Sequence, residues 1–193
     1  VYPLHFATTA LFGAIAIFVA ARGIELRDPA TMSPSLIAPH LLLLHAWGPF
    51  TQPGLNFPSW SISAELFVYL LYPIFALIVL RLKPAGALLT ALAFAMVMEK
   101  LRQDSGLRSF VEATWDYGML RAVPTFLAGM AVQQIVTRMP RIHIPWIVAH
   151  VVMAGVIAML FMRVNIYLVL ISFVLAVGVI AATERGGARS LLQ

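Results

Sequence analysis

Six long apolar runs dominate this chain: Leu4 to Ala20, Ser61 to Leu80, Ala85 to Met98, Met119 to Val136, Ile144 to Met162 and Val164 to Ala182. A helix rises about 1.5 Å per residue and the hydrocarbon core of a bilayer is about 30 Å thick, so roughly 20 apolar residues are needed to cross it. Most of these runs approach that length. Inside hydrocarbon every backbone N–H and C=O must find its partner within the protein, and a helix satisfies them along its own axis. The runs therefore predict an all-α, polytopic transmembrane helix bundle of about six spanning helices, forming a single membrane domain over residues 1–193. Composition points the same way, because 61% hydrophobic residues, 11% charged residues and a mean hydropathy of +0.91 exclude an ordinary soluble domain. The shortest run, Ala85 to Met98, is expected to be tilted, re-entrant or lengthened by Glu99 and Lys100, with their long side chains reaching back to water. A further run, Leu36 to Trp47, follows Pro34 and is closed by Gly48-Pro49, which predicts an interfacial or half-inserted helix.

The 13 Lys and Arg outnumber the 8 Asp and Glu, but they lie in short loops between apolar runs. That distribution orients a membrane protein and argues against nucleic-acid binding. With six runs spanning, the loops on one side carry six basic residues against Glu184 alone, and those on the other carry six of each sign. Both ends are then expected in the cytoplasm. The absence of cysteine excludes disulfides and thiol chemistry, and five scattered histidines without paired spacing argue against a dedicated metal site. No signal peptide is recognisable near Leu4, since a basic leader and a small-residue cleavage site are both missing. The chain opens on Val1 and closes at Gln193 shortly after an apolar run, so it is expected to be an internal fragment of a larger bundle.

Chemistry concentrates in Asn56-Phe57-Pro58-Ser59-Trp60-Ser61-Ile62-Ser63-Ala64-Glu65-Leu66-Phe67-Val68-Tyr69, which carries a carboxylate and two serines into an otherwise apolar helix. From Ser61, steps of 4, 4 and 3 reach Glu65, Tyr69 and Tyr72, which places all four on one helical face. A carboxylate in a membrane helix is costly, so this stripe is expected to face the bundle interior or a wet cavity. The structural alternative makes Glu65 a first-turn acid favoured by the helix dipole and Ser59 or Ser61 the N-cap. Trp47 and Trp60 either shape a pocket or mark the headgroup level. Asn56 either contacts a ligand or shapes the turn before Pro58. His45, at the end of an apolar run, offers another polar contact, and His5 is expected within the bundle near the start of its helix. Arg121 is positioned to hold a phosphate or a carboxylate such as Glu65 or Asp116, or to snorkel to the interface. Gly129 with Ala128 would permit close helix packing.

The segment from His45-Ala46-Trp47 through Trp60-Ser61-Ile62-Ser63-Ala64-Glu65 resembles the acyltransferase-3 family of integral-membrane acyltransferases, whose pattern is Asn-x-x-x-Trp-Ser-Leu-Ser-x-Glu followed by Tyr and Pro, here Tyr69 or Tyr72 and Pro73. Val1-Tyr2-Pro3-Leu4-His5 is similar to the end of that family's arginine-containing motif. Arg121 to Met130 is similar to its later Arg…Phe-x-x-Gly-Met helix. The resemblance implies transfer of an acyl group, commonly acetyl, from acyl-CoA to a hydroxyl of a carbohydrate or other cell-envelope acceptor, without a metal. It implies that Glu65 orients the catalytic base or binds the acceptor, with Asn56, Trp60, Ser61, Ser63, Tyr69, Arg121 and His45 around the substrates. The family's base histidine belongs to a helix upstream of Tyr2, so no residue here matches it, and the fragment alone is expected to be inactive. The residues themselves also allow a transporter or permease with a polar substrate path, or an anchoring subunit whose polar groups only lock helices together.

Overall fold

The structure of the chain, a computed structural model, describes residues 2–25, 29–48, 54–140 and 144–185. Val1 and Pro49, named in the sequence patterns above, lie outside them. Among the described residues the regular structure is all helical: α1 (Tyr2–Ala21), α2 (Ile37–Leu41), α3 (Trp60–Leu70), α4 (Tyr72–Arg81), α5 (Pro84–Asp104), α6 (Gly118–Arg138), α7 (Trp146–Phe161) and α8 (Ile166–Arg185). Four of them, α1, α5, α6 and α8, are long and apolar enough to cross a membrane, and α3 with α4 makes a fifth if the two count as one bent span. All six apolar runs are thus helical, but four or five, instead of six, have spanning length. Ser61 to Leu80 breaks at Leu71 because Pro73 has no N–H for the Tyr69 carbonyl and its ring crowds that carbonyl, so α4 restarts with proline in its first turn. The Ile144 to Met162 run begins as helix only after Pro145 and yields 16 residues.

Contacts divide the chain into two compact units, one of Val1–Tyr72 and Met98–Val123, the other of Pro73–Val97 and Pro124–Gln193. In the first unit α1 packs on α2, where a Cβ at Gly13 would lie 3.3 Å from Ile37 Cγ1. The expected helix over Leu36 to Trp47 shrinks to the five residues of α2. Leu43 turns left-handed at φ 56°, and the Leu44 N–H reaches back to the Pro39 carbonyl at 2.8 Å, a bond that closes a helix end. Residues 42–47 then continue as turns.

The far end of α5 fulfils one of the expectations for Ala85 to Met98, since the helix runs on through Glu99 and Lys100 to Asp104. Glu99 accepts from Gln103 at 2.7 Å, from the Ser109 hydroxyl at 2.9 Å and from the Phe110 N–H at 3.0 Å. Arg102, only 3% exposed, donates to the Arg108 carbonyl at 2.6 Å, the Asp116 carbonyl at 3.0 Å and the Asp116 carboxylate at 2.8 Å. These bonds tie down the connection to α6, and they engage one of the two carboxylates that Arg121 was expected to meet.

The second unit is built differently. α7 and α8 form a hairpin whose turn places Arg163 at φ 53° and returns the Val164 N–H to the Met159 carbonyl at 3.1 Å. Phe75 of α4 meets Phe126 of α6 at 6.1 Å between ring centroids, and Gln134 donates to the Val79 carbonyl at 2.7 Å. Close packing falls at Gly178, where a Cβ would lie 3.2 Å from Val132 Cγ1. Gly129, expected to allow such an approach, faces open space.

Candidate functional site

Irregular backbone on both sides of α2 and before α3 leaves polar groups that no helix ladder satisfies, and side chains of the first unit take them up. Ser63, fully buried on α3, donates to the Leu43 carbonyl at 2.6 Å and accepts from the Ala46 N–H at 3.0 Å. The Trp47 indole N–H donates to the Ser63 carbonyl at 2.8 Å. One serine thus fixes the 42–47 turn against the helix that carries Glu65.

A second link lies one turn earlier. Phe57–Ser59 forms a single 3-10 turn leading into α3, preceded by Asn56 at φ −139° and ψ 84°. The Asn56 amide donates to Thr8 Oγ1 at 2.9 Å, which attaches the turn to α1. Ser59 occupies the N-cap position without capping. Its hydroxyl is 2.6 Å from the Asn56 carbonyl, and two oxygens that close must share a proton. The Ser59 hydrogen is therefore spent, and His45 Nε2, 2.9 Å away, donates to Ser59 Oγ.

His45 is the middle of a buried stack. Its ring lies 4.1 Å from His40 at an interplanar angle of 4°, and 6.0 Å from His5 at 14°. His5 Nε2 donates to the His40 carbonyl and His40 Nδ1 to the Leu36 carbonyl, each at 2.9 Å. Burial holds His40 below the ordinary histidine range, and burial, then the repulsion between the two rings when both are protonated, brings His45 down to about 4. Both rings are neutral at pH 7. Face-to-face stacking aims their nitrogens sideways, and no group of three or more His, Asp or Glu among the described residues could hold a metal ion. Gly54, at φ 73°, closes over His40, where a Cβ would lie 2.3 Å from Cε1. That position demands glycine on both counts.

The polar stripe of α3 does not face inward as expected. Ser61, Glu65, Tyr69 and Tyr72 do share a face, but Ser61 and Glu65 are exposed and the two tyrosines are each half exposed. The inner face is filled by Ser63, Ala64 and Val68, small residues that let α3 approach the 42–47 turn and leave no room for a carboxylate. Because α3 starts at Trp60, Glu65 sits in its second turn, and the first turn holds no acid. The dipole explanation for Glu65 therefore lapses. The Tyr69 hydroxyl, one turn on, donates to the Glu65 carboxylate, and both residues are exposed.

Trp60 and Arg121 come together at the start of α3, with the guanidinium carbon 5.3 Å from the indole centroid. A Cβ at Gly118 would lie 3.1 Å from Trp60 Cε3, and the Tyr117 and Met119 N–H groups bond to the Gly48 and Ala46 carbonyls. The start of α6 is thereby fastened to the same turn that Ser63 holds. Of the residues singled out from sequence, His45 and Ser63 form a buried scaffold that the half-buried Asn56 ties to α1, Trp60 pairs with Arg121, and Glu65 with Tyr69. Ser61 bonds only locally, to the Pro58 carbonyl at 3.3 Å. His40 and Ser59 as a ring partner are the functional-looking groups that sequence spacing missed.

No protein-family model matches the chain, and no solved structure matches it. A stretch of 79 residues, 38% of the chain, is 37% identical to the acyltransferase MdmB of Streptomyces mycarofaciens, and spans 19% of that protein's length. The likeness supports acyltransferase as a class and no narrower family.

Proposed function

We propose that the chain belongs to an integral-membrane acyltransferase that moves an acyl group, acetyl in the simplest case, from acyl-CoA to a hydroxyl of a carbohydrate or other cell-envelope acceptor. The observation that carries this reading is the 37% identity to an acyltransferase over 79 residues, in a chain with several helices able to cross a membrane. The chemistry asked of the site is an O–C bond formed to the acyl carbon and a C–S bond broken, with the hydroxyl proton ending on the released thiol. Glu65 is the group that accepts a hydrogen bond from the acceptor hydroxyl and aligns it for attack, while Tyr69 fixes the carboxylate. Ser61, exposed on the same face as Glu65, adds a polar contact, and Asn56, tied to Thr8, and Trp60, stacked with Arg121, border the acceptor in this reading. Arg121, held over that indole, supplies positive charge for the coenzyme phosphates. Ser63 and His45 act by position, since both are buried and hold the 42–47 turn. The reaction fits the bacterial cytoplasmic membrane, where acyl-CoA and envelope precursors meet.

The test uses membranes from cells expressing the full coding sequence, incubated with labelled acetyl-CoA and hydroxylated acceptors. Label should appear on the acceptor in an ester that hydroxylamine cleaves. Accumulation of unmodified solute inside vesicles, with no acyl transfer, would replace the enzyme by a permease.

A further inference from the structure

Hydrogen bonds alone do not account for the histidine stack. Nδ1 of His5, Nε2 of His40, Nδ1 of His45 and Oγ1 of the fully buried Thr9 have no partner among the described residues. Three of these atoms belong to the stacked rings, so most of the buried polar atoms that the first unit leaves unmet lie in the stack. The rings that meet there are also the rings that hold α3. His45 grips Ser59 immediately before Trp60, and the carbonyl beside His45's own turn, that of Leu43, is held by Ser63.

The ionisable surroundings are few. From α1 the stack meets His5, and from α2 His40; the side chains facing it from the Phe57–Ser59 turn and the start of α3 are Ser59 and Ser63, which do not titrate near neutrality. Glu65 lies on the exposed face, bonded to Tyr69. Residues 48–53, Gly-Pro-Phe-Thr-Gln-Pro in sequence, carry no ionisable side chain. A proton placed on His40 or His45 would therefore be a charge buried without a carboxylate, next to a parallel ring 4.1 Å away.

We propose that the His40–His45 stack is an acid-sensitive latch on α3: uptake of one proton releases the 42–47 turn from Ser59 and Ser63 and frees the segment that presents Glu65. The direction follows from linkage. His45 titrates at about 4 in the folded chain and near 6.5 when unfolded, so the unfolded chain binds more protons between those values. The latch's contribution is complete above pH 6.5 and is lost as pH falls towards about 4. The device is independent of whether acyl transfer is the reaction.

The Trp47 indole N–H, bonded to the Ser63 carbonyl, reports the latch directly in a proton–nitrogen NMR spectrum of the full chain in detergent micelles. Its resonance should stay fixed above pH 6.5, then shift and exchange faster with water as pH falls towards about 4. The double variant His40→Asn with His45→Gln keeps amide donors for the Leu36 carbonyl and Ser59 but cannot titrate, and its indole signal should not respond. An unresponsive indole in the unaltered chain, or an identical response in the variant, would overturn the latch. Should the variant fail to fold, ring-nitrogen shifts of the unaltered chain decide. His40 and His45 must be neutral at pH 7 and titrate in step with the indole; a charged ring at neutrality, or titration that leaves the indole still, refutes it.

Discussion

The two units bury polar side chains to very different extents. In the first, His5, Thr9, His40, His45, Ser59, Ser63 and Arg102 are all buried, and three of them, His5, Ser63 and Arg102, bond to backbone at least 14 residues away in sequence. In the second, the buried polar residue among the described ones is Thr183, whose hydroxyl returns to its own helix at the Val179 carbonyl, 2.8 Å away, and the half-buried Gln134 makes the long-range bond, to the Val79 carbonyl. The contrast follows the backbone. α7 and α8 satisfy their own N–H and C=O groups and need only apolar packing, whereas the left-handed Leu43, the short α2 and the Phe57–Ser59 turn leave groups that side chains must satisfy. Irregular backbone in the first unit recruits polar side chains to satisfy it.

The largest expected effect is at Arg102. Replacing it with Met strands the Arg108 and Asp116 carbonyls and the Asp116 carboxylate, at a cost of about 3–5 kcal/mol. Thr183→Val in the second unit should stay within about 0.5 kcal/mol. Thermal unfolding in one detergent measures both, and equal losses would erase the distinction between the units. Next comes Ser63→Ala, which orphans the Ala46 N–H and the Leu43 carbonyl for about 2–4 kcal/mol, while Ser61→Ala on the exposed face changes stability by less than about 0.5 kcal/mol. A loss at Ser61 matching that at Ser63 would show that the two faces of α3 are not distinct in solution. The smallest effect is a gain. Gly129→Ala puts a methyl group into open space within a helix and should stabilise the second unit by about 0.5–1 kcal/mol; a loss there would reveal packing at Gly129 after all.

The helices were legible because apolar length and continuity are local properties, and even the extension of α5 past Glu99 was among the readings its charged end allowed. Direction was not. The 4, 4, 3 spacing correctly grouped Ser61, Glu65, Tyr69 and Tyr72, but a period names a face without naming what covers it. The inner face of α3 carries a serine too, and only the 42–47 turn, itself unreadable where Pro39 and Leu43 end α2 early, decides that Ser63 goes inward. The break at Leu71 was written in Pro73, whose missing N–H outweighs an apolar run that looks continuous. The histidine stack had no spacing signal, since its members come from α1, α2 and the turn that follows and meet only in three dimensions.

The central claim is that the exposed carboxylate of Glu65, held by Tyr69 on a helix fixed by Ser63 and Ser59, aligns the acceptor hydroxyl. The direct measurement is acyl transfer by Glu65→Gln in membranes from cells expressing the full coding sequence, normalised to protein abundance. The account predicts a loss of about 100-fold or more with abundance and the Trp47 indole signal unchanged. Full transfer activity by Glu65→Gln at equal abundance would contradict it.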